Sequence, residues 1–252
     1  MVISVTPADA HHQAHAHALA VELGLHYSEL PPSADAIPFL SYSSLGVDLR
    51  LSGPSAPGPV RVDFGAGDMR HRRRAGKNEL LGRAVGVGKR DNLSVIDATA
   101  GLGRDSFVLA DLGCQVMMLE RSAVAFALLR NGLDRGLASG DGWLQAACSR
   151  LRLECVDSIA YMAAASEKVD VIYLDPMFPE RQKSARVRKE MWMFQELLGK
   201  DEDSEELLAA AFGRASYRVV VKRPARAPAL PGRAPGFVIG GRKVRFDVYP
   251  VT

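Results

Sequence analysis

Cysteine is scarce in this 252-residue sequence, where it occurs only as Cys114, Cys148 and Cys155 and never with CxxC spacing. An odd number of thiols without that spacing argues against a disulfide framework and against a zinc site. Cys114 and Cys155 each lie in an apolar run. We therefore expect the cysteines to be reduced residues of the core.

Long apolar runs are also missing, since none exceeds seven residues, the length of the run at 123–129. A helix that crosses a bilayer needs about 18 or more apolar residues in succession. Residues 1–7 contain neither the basic leader nor the apolar stretch of a secretory signal. The sequence thus predicts no membrane segment and a cytoplasmic location.

The composition, 47% hydrophobic and 24% charged, is that of a folded protein. It excludes disorder as the dominant state and supplies enough apolar mass for a core. A chain of this length accommodates one large domain, with or without a smaller appendage.

Basic residues are unevenly distributed, although the net charge is only +3. Residues 69–90 contain eight Lys or Arg against the single acid Glu79, and residues 218–245 contain eight against none. An acidic stretch at 201–206 balances them. Each cluster alone is typical of a solvated face, but two clusters that flank a catalytic motif favour a polyanionic substrate.

Residues 1–90 form the predicted N-terminal α+β appendage. Short alternating runs at 47–51 and 60–64 predict a small antiparallel hairpin, and we expect this region to contribute to RNA contact. The four histidines between positions 11 and 17 predict a polar, frayed stretch. The alternative is a metal site, because His11 and His15 would share one helical face.

In residues 91–252 short apolar runs alternate with helical patterns, which is typical of a parallel α/β sheet. The last two runs are too close together for a crossover helix and predict an antiparallel hairpin. The expected fold is a Rossmann-like, mostly parallel sheet of seven strands. Its predicted strands are 93–97, 115–120, 151–156, 169–175, 218–222, 237–239 and 244–249, and its predicted helices are 104–112, 123–135, 159–165 and 205–215.

A nucleotide site is predicted after the first of these strands, where Asp97 precedes the turn that contains Gly101 and Gly103. Glycines between a buried strand and a helix let the backbone approach a ligand and direct free helix N–H groups at it. A dinucleotide fingerprint would place a third glycine where Ser106 stands, which weakens an NAD interpretation. Glu120, at the end of the second strand, lies where a carboxylate is expected to bind a ribose diol.

Asp157 and Ser158 follow the third strand. Residues at that position commonly contact an adenine edge in such sheets, but Asp and Ser also favour the N-cap of a helix. The sequence leaves both interpretations open.

The most specific motif is residues 169–179, in which a hydrophobic strand delivers Asp175, Pro176 and Phe178 to the carboxyl edge of the sheet. An exocyclic amine of a purine is a poor nucleophile, because its lone pair is delocalised into the ring. The Asp175 carboxylate and the Pro176 carbonyl could accept its N–H groups, and Phe178 could stack on the base. The chemistry needs no metal, and the target base must be unpaired or flipped out.

Basic residues on either side of this motif are the predicted RNA contacts. They comprise Arg181 and Lys183 after the motif, Lys222 and Arg223 at the end of the fifth strand, and Arg72, Arg73 and Arg74 in the N-terminal cluster.

Taken together, these motifs resemble the family of bacterial small-subunit ribosomal RNA guanine-N2 methyltransferases J. The similarity spans at least residues 60–250, and its most specific part is 175–179 followed by 182–185. The resemblance implies a class I methyltransferase fold and S-adenosylmethionine, converted to S-adenosylhomocysteine, as the cofactor. It implies methylation of the N2 amine of one guanosine in 16S ribosomal RNA. Thr99 departs from the glycine found at its position in many methyltransferases of this fold.

By the same resemblance, cofactor contacts are expected from the glycine turn and from the polar ends of the strands. The expected residues are Asp97, Gly101, Gly103, Arg104, Asp105, Glu120, Arg121, Asp157, Ser158 and Asp175. Asp175 would lie where the cofactor meets the base. The expected partner is 16S ribosomal RNA or the small subunit, with no membrane and no obligate protein partner.

Two alternatives remain open at the level of sequence. One is a methyltransferase for another exocyclic amine, such as adenine N6 in DNA or RNA, because the same motif suits that chemistry. The other is a non-catalytic RNA-binding module that has kept a vestigial pocket.

Overall fold

The computed structural model describes residues 3–67, 69–70, 79–164, 166–176 and 203–251. These residues form two compact units. One contains the described residues up to 62 together with 122–132, and the other contains the remainder.

The first unit is built on a four-stranded sheet in the order β2-β1-β3-β4. Its strands are β1 (Ser4–Pro7), β2 (His26–Tyr27), β3 (Pro38–Ser43) and β4 (Gly46–Leu51). β1 is parallel to both of its neighbours, whereas β3 and β4 form an antiparallel hairpin. Helix α1 (Gln13–Leu23) packs Ala16, Leu19 and Ala20 into the core and ends at Gly24 in the left-handed conformation.

Two expectations for this unit were wrong. The histidine-rich stretch is folded, because Asp9 caps a 3-10 turn by accepting from the His11 amide, and α1 follows directly. The antiparallel partner of β4 is β3, and residue 60 adds only an isolated bridge to Leu49. The Val47 amide, which would continue this pairing at residue 62, donates instead to Asn131 Oδ1 at 3.1 Å, so the ladder stops at the bridge.

The second unit contains a seven-stranded sheet in the order β10-β11-β9-β8-β5-β6-β7. All neighbours are parallel except at the C-terminal hairpin, where β11 is antiparallel to β9 and to β10. The predicted fold class is therefore confirmed. The strands are β5 (Ser94–Asp97), β6 (Gln115–Glu120), β7 (Leu151–Cys155), β8 (Val169–Leu174), β9 (Ala215–Pro224), β10 (Phe237–Gly240) and β11 (Val244–Pro250).

Helices cover the central strands, which explains why those strands are apolar on both faces. One face packs Ile172, Val219 and Val221 against Leu208 and Ala211 of the last helix. Within the described residues of the chain the helices after α1 are α2 (Leu80–Val85), α3 (Arg104–Asp111), α4 (Ala123–Leu137), α5 (Gly142–Cys148), α6 (Ser158–Ala164) and α7 (Ser204–Arg214).

The strand order places a switch point between β5 and β8. From β5 the chain runs outward to β6 and β7, and then returns to β8 on the other side of β5. Open α/β sheets bind ligands outside the carboxyl ends of strands at such a point. The residues that follow β5 and β8 are therefore where a site is expected.

Cys114 and Cys148 are buried free thiols, as predicted. Burial raises the pKa of Cys114 to about 12 and that of Cys148 to about 11. Cys155 is a thiol as well, but it is exposed, so its assignment to the core was wrong. It ends β7, which lies at the edge of the sheet and, among the described strands, pairs with β6 alone.

In the described part of the chain, no helix combines the length and the apolar character needed to span a bilayer. Nor do the described residues contain a group of three or more His, Cys, Asp or Glu side chains that could hold a metal ion.

Candidate active site

The loop after β5 is shaped by two glycines in the left-handed conformation, Gly101 at φ 55° and Gly103 at φ 68°. Gly103 is the N-cap of α3, so the glycine turn leads directly into the first helical turn, whose amides have no carbonyl partner within the helix. A side chain at Gly101 would meet only the Thr99 carbonyl oxygen, 3.9 Å away, among the described residues. The loop therefore leaves room for a ligand against its backbone.

Asp97 anchors this loop through hydrogen bonds to its side chain. It is only 2% exposed, and its carboxylate accepts from the Thr99 amide at 3.1 Å and from the Ser106 hydroxyl. Burial raises the pKa of Asp97 to about 7, although the two hydrogen bonds act in the opposite direction. The nearby negative charges of Asp105 and Asp175 add to the rise. Its geometry is that of a residue that positions the loop.

Glu120, at the end of β6, is bonded directly to the glycine turn. Its Oε2 accepts from the Gly101 amide at 2.9 Å. A carboxylate can accept several hydrogen bonds, so this contact is compatible with a ribose hydroxyl as a further donor. The next residue, Arg121, pairs with Asp203 at 2.7 Å and approaches Asp157 at 3.9 Å.

Asp157 and Ser158 lie at the start of α6. The Asp157 Oδ1 accepts from the Ala160 amide at 3.0 Å, so the helix-cap interpretation holds for this residue. The Ser158 hydroxyl is buried and donates to the Ala98 carbonyl at 2.6 Å. Both residues thus lie beside the loop after β5, while the Asp157 side chain remains 45% exposed.

Asp175 follows β8 and is linked to the loop after β5. Its amide donates to the Thr99 hydroxyl at 2.6 Å, and Thr99 Oγ1 lies 3.5 Å from the Asp97 carboxylate. The Asp175 side chain is 37% exposed. The sequence places an acid here, and the structure places it directly beside the glycine turn.

Lys222 bridges two carboxylates across the carboxyl edge of the sheet. Its Nζ donates to Asp105 Oδ2 at 2.7 Å and to Asp175 Oδ2 at 2.8 Å. The Tyr173 hydroxyl also donates to Asp105 Oδ2, at 2.7 Å. Asp105 is on α3, Asp175 follows β8 and Lys222 is on β9, so one ammonium group joins three elements.

The electrostatics of this cluster follow from its geometry. Burial alone would lower the pKa of Lys222, but the two carboxylates outweigh it and raise that pKa well above its ordinary value. Burial, reinforced by the charges of Asp105, Asp175 and Asp97, raises the pKa of Tyr173. Lys222 therefore stays charged and Tyr173 stays protonated at neutral pH.

The sequence assigned Lys222 and Arg223 to RNA, and the structure gives both of them partners within the fold. Arg223 is buried and donates to the Pro228 carbonyl through Nε at 3.0 Å and Nη2 at 2.6 Å. Apolar context and position along the strand cannot reveal either pairing, because each depends on which strands become neighbours. Tyr173 was not singled out from the sequence. The only sequence signal for it is its place in the alternation of side chains along β8, which fixes the face of the sheet on which it lies.

The remaining expected residues are placed as follows. Pro176 is buried directly after Asp175, and Arg104 is exposed at the first position of α3. Phe178, Arg181, Lys183 and the cluster of Arg72, Arg73 and Arg74 lie outside the described residues.

Comparison with known proteins agrees with this geometry. Residues 25–251 match a family model described as "Putative SAM-dependent methyltransferase". The chain is 47% identical to ribosomal RNA small subunit methyltransferase J of Thioalkalivibrio sulfidiphilus, over 98% of this chain and 97% of that protein. It is 45% identical to the protein of the same name from Marinobacter nauticus, over 94% of this chain and 87% of that protein.

A solved structure extends the comparison to three dimensions. The crystal structure of a SAM-dependent methyltransferase from Neisseria gonorrhoeae aligns with a TM-score of 0.78 at 34% identity, covering 98% of this chain and 95% of that one. The sheet order, the glycine turn beside Asp175 and these similarities lead to one assignment. The chain belongs to the ribosomal RNA small subunit methyltransferase J family of SAM-dependent methyltransferases.

Proposed function

We propose that this protein transfers a methyl group from S-adenosylmethionine to the exocyclic N2 amine of a specific guanosine in 16S ribosomal RNA. The family name supports ribosomal RNA of the small subunit as the substrate. The observation that carries the proposal is the 2.6 Å bond between the Asp175 amide and the Thr99 hydroxyl, which sets the amine-binding motif beside the cofactor turn.

The residues at the edge of the sheet fit this cofactor. The space beside Gly101 could hold part of the cofactor, and the amides of the first turn of α3 could donate to its polar groups. Glu120 would hold the ribose, Asp157 and Ser158 would face the adenine, and Arg104 and Asp105 would contact the amino-acid end. S-Adenosylmethionine supplies a sulfonium methyl group, whose carbon–sulfur bond breaks as the carbon–nitrogen bond forms.

Asp175 and Pro176 would prepare the amine. Their carboxylate and carbonyl oxygens accept the two N–H groups, which turns the nitrogen lone pair toward the methyl carbon. Such alignment supplies much of the acceleration when both reactants are held in place. The amine gives up one proton as it is methylated, and the partial exposure of Asp175 lets that proton reach solvent.

Lys222 would maintain the charge of this acceptor. Asp105 and Asp175 are both negatively charged and both lie within hydrogen-bond distance of one ammonium group. An opposite charge at that distance favours the ionised carboxylate. Asp175 is thus kept as an acceptor, whereas a protonated acid would present a competing donor.

We assign the methyl transfer to residues 91–252 and a contribution to RNA docking to residues 1–90. Arg72, Arg73, Arg74, Arg181 and Lys183 remain predicted RNA contacts, and Phe178 remains the predicted stacking residue. The substrate is the free RNA or the small subunit, and the proposed place of action is the cytoplasm, where ribosomes are assembled.

Nucleoside mass spectrometry tests the proposal. Purified protein, S-adenosylmethionine and small subunits from cells that lack the gene should yield N2-methylguanosine at one position. Recovery of N6-methyladenine would favour the alternative amine, and no methylated nucleoside would contradict the proposal. Calorimetric titration with S-adenosylmethionine shows separately whether the cofactor site is intact.

A further inference from the structure

The basic segment 218–245 is divided by the structure into two groups. Four of its eight basic side chains are engaged within the fold. Arg218 donates to the Ala84 carbonyl at 2.7 Å, Arg245 pairs with Asp247 at 2.7 Å, and Lys222 and Arg223 have the partners described above. The other four are exposed, namely Arg226, Arg233, Arg242 and Lys243.

Three of the exposed residues lie together at the carboxyl edge of the sheet. The Ala225 amide donates to the Lys243 carbonyl at 3.0 Å, and Val244 is in register with Pro224. The loop that contains Arg226 is therefore adjacent to the turn that contains Arg242 and Lys243. Both lie beside the end of β9 at which Lys222 contacts Asp175.

Arg233 lies elsewhere. Its guanidinium stacks over the Phe212 ring at 4.9 Å, and it precedes the first residue of β10. Because β10 runs in the same direction as β9, its start is at the opposite edge of the sheet. Arg226, Arg242 and Lys243 are therefore set apart by their shared position at the carboxyl edge as well as by their exposure.

The loop after β9 is held in place by two arginines. Arg245 Nη1 donates to the carbonyls of Ala225 at 3.2 Å and Ala227 at 2.5 Å, and Arg223 donates to that of Pro228. Asp247, which is fully buried, fixes Arg245 in turn. A surface that is already ordered loses less conformational entropy when it binds.

We propose that Arg226, Arg242 and Lys243 form a phosphate-binding surface that docks the RNA substrate beside the methyl-transfer crevice. Among the described residues, none of these three side chains has a hydrogen bond or ion pair, and residues 218–245 contain no acid. Phosphate contacts orient a nucleic acid without reading its sequence. This inference rests on the proposed function, because it takes RNA as the polyanion.

Salt-dependent RNA binding tests the surface. The variant carries Arg226→Gln, Arg242→Gln and Lys243→Gln, and the probe is unmethylated 16S ribosomal RNA transcribed in vitro. The slope of the log association constant against log salt is negative, and each lost phosphate contact reduces its magnitude by roughly 0.7 to 0.9, so we expect the magnitude to fall by about 2 to 3. The Kd at low salt should rise at least about tenfold, while the Kd for S-adenosylmethionine stays unchanged.

Two matched variants serve as controls. Arg152→Gln, Lys168→Gln and Arg233→Gln together remove the same charge toward the opposite edge, and should leave the slope almost unchanged. Arg226→Lys, Arg242→Lys and Lys243→Arg keep the charge, and should retain most of the binding.

The results separate the two proposals. If the glutamine variant of the surface matches the opposite-edge control, the docking surface is wrong. If the wild-type protein neither binds the RNA nor produces N2-methylguanosine, the proposed function itself fails. Normal RNA binding with lost binding of an acidic protein would assign the surface to a different partner and would also overturn the inference.

Discussion

At the scale of single residues, the carboxyl edge of the sheet has two acids that contact one ammonium group and a third, buried acid close to them. Asp105 and Asp175 contact Lys222, and their charges also raise the pKa of the buried Asp97. The three acids have different environments, since Asp97 is buried and Asp175 is partly exposed. We expect their replacements to have different consequences.

Replacement of Asp175 by alanine should leave the fold intact and reduce turnover by about 10²-fold or more. The carboxylate is partly exposed, so little packing is lost, but the amine loses an acceptor that acts during the reaction. Single-turnover methylation of small subunits measures the effect. Asp91→Ala, at an exposed position before β5, is the control. Near-normal methylation by Asp175→Ala would contradict the mechanism.

Replacement of Lys222 by methionine should lower kcat more than it raises KM for RNA. The variant leaves Asp105 and Asp175 facing each other without the cation, and the repulsion disfavours the ionised acceptor. Lys222→Arg keeps the charge and should recover part of the rate. A purely structural lysine would instead give similar kcat values for the two variants once both are folded.

The raised pKa of Asp97 makes stability depend on pH. Between the ordinary pKa of 3.8 and about 7, the folded protein retains a proton that the unfolded chain releases, so stability falls as pH rises through this window. The cost reaches up to about 4 kcal/mol above pH 7, at 1.36 kcal/mol per pKa unit. Denaturant unfolding between pH 4 and 8 should show this slope in the wild type relative to Asp97→Asn. Parallel curves would refute the assignment.

At the scale of elements, Gly101 has two roles in the glycine turn: it adopts the left-handed conformation, and its lack of a side chain leaves space for a ligand. Gly101→Ala should destabilise the fold by roughly 1 to 2 kcal/mol through the left-handed conformation alone. It should also weaken S-adenosylmethionine binding, because the new methyl group occupies the open face.

Gly24→Ala is the matched control, since Gly24 has φ 64° and no atom of the described residues within 4 Å of an added Cβ. It should lose similar stability, by thermal unfolding, without any change in cofactor affinity by calorimetry. Equal cofactor binding in both variants would mean that the turn does not face the cofactor.

The strands of the large sheet were predictable because buried parallel strands are continuous apolar runs. β6 matches its expected bounds, and β5 and β8 differ from theirs by one residue. Helix α1 was missed because its apolar residues are not confined to one face: Ala16, Leu19 and Ala20 are buried, whereas Ala14, Ala18 and Val21 are exposed. The seven-residue α5 depends on Asp141, which caps it at the Trp143 and Leu144 amides, rather than on a long periodic pattern.

At the scale of the whole molecule, the sequence predicted which strand ends lie together at the candidate site, but not all the pairings between them. Positions at the ends of strands identified Glu120 and Asp175, because parallel strands bring their carboxyl ends to one edge. The salt bridges of Lys222 require β9 to lie beside β8, and only the assembled sheet determines that neighbour.

The N-terminal basic cluster provides a test on the same scale. Replacement of Arg72, Arg73 and Arg74 by glutamine should weaken binding to 16S ribosomal RNA and flatten its salt dependence, while cofactor affinity is retained. If these arginines and the surface at Arg226 contact separate phosphates, the two losses in binding free energy should add. An unchanged salt slope would make the N-terminal cluster a solvated face.

The hydroxyl of Thr99 has a consequence for how the enzyme can move. Thr99 Oγ1 accepts from the Asp175 amide and lies 3.5 Å from the Asp97 carboxylate. Because this hydrogen bond joins the two loops, we expect a displacement of the turn to be transmitted to the peptide that begins the Asp-Pro motif. A Thr99→Gly chain would uncouple them, so that occupancy of one loop would no longer order the other.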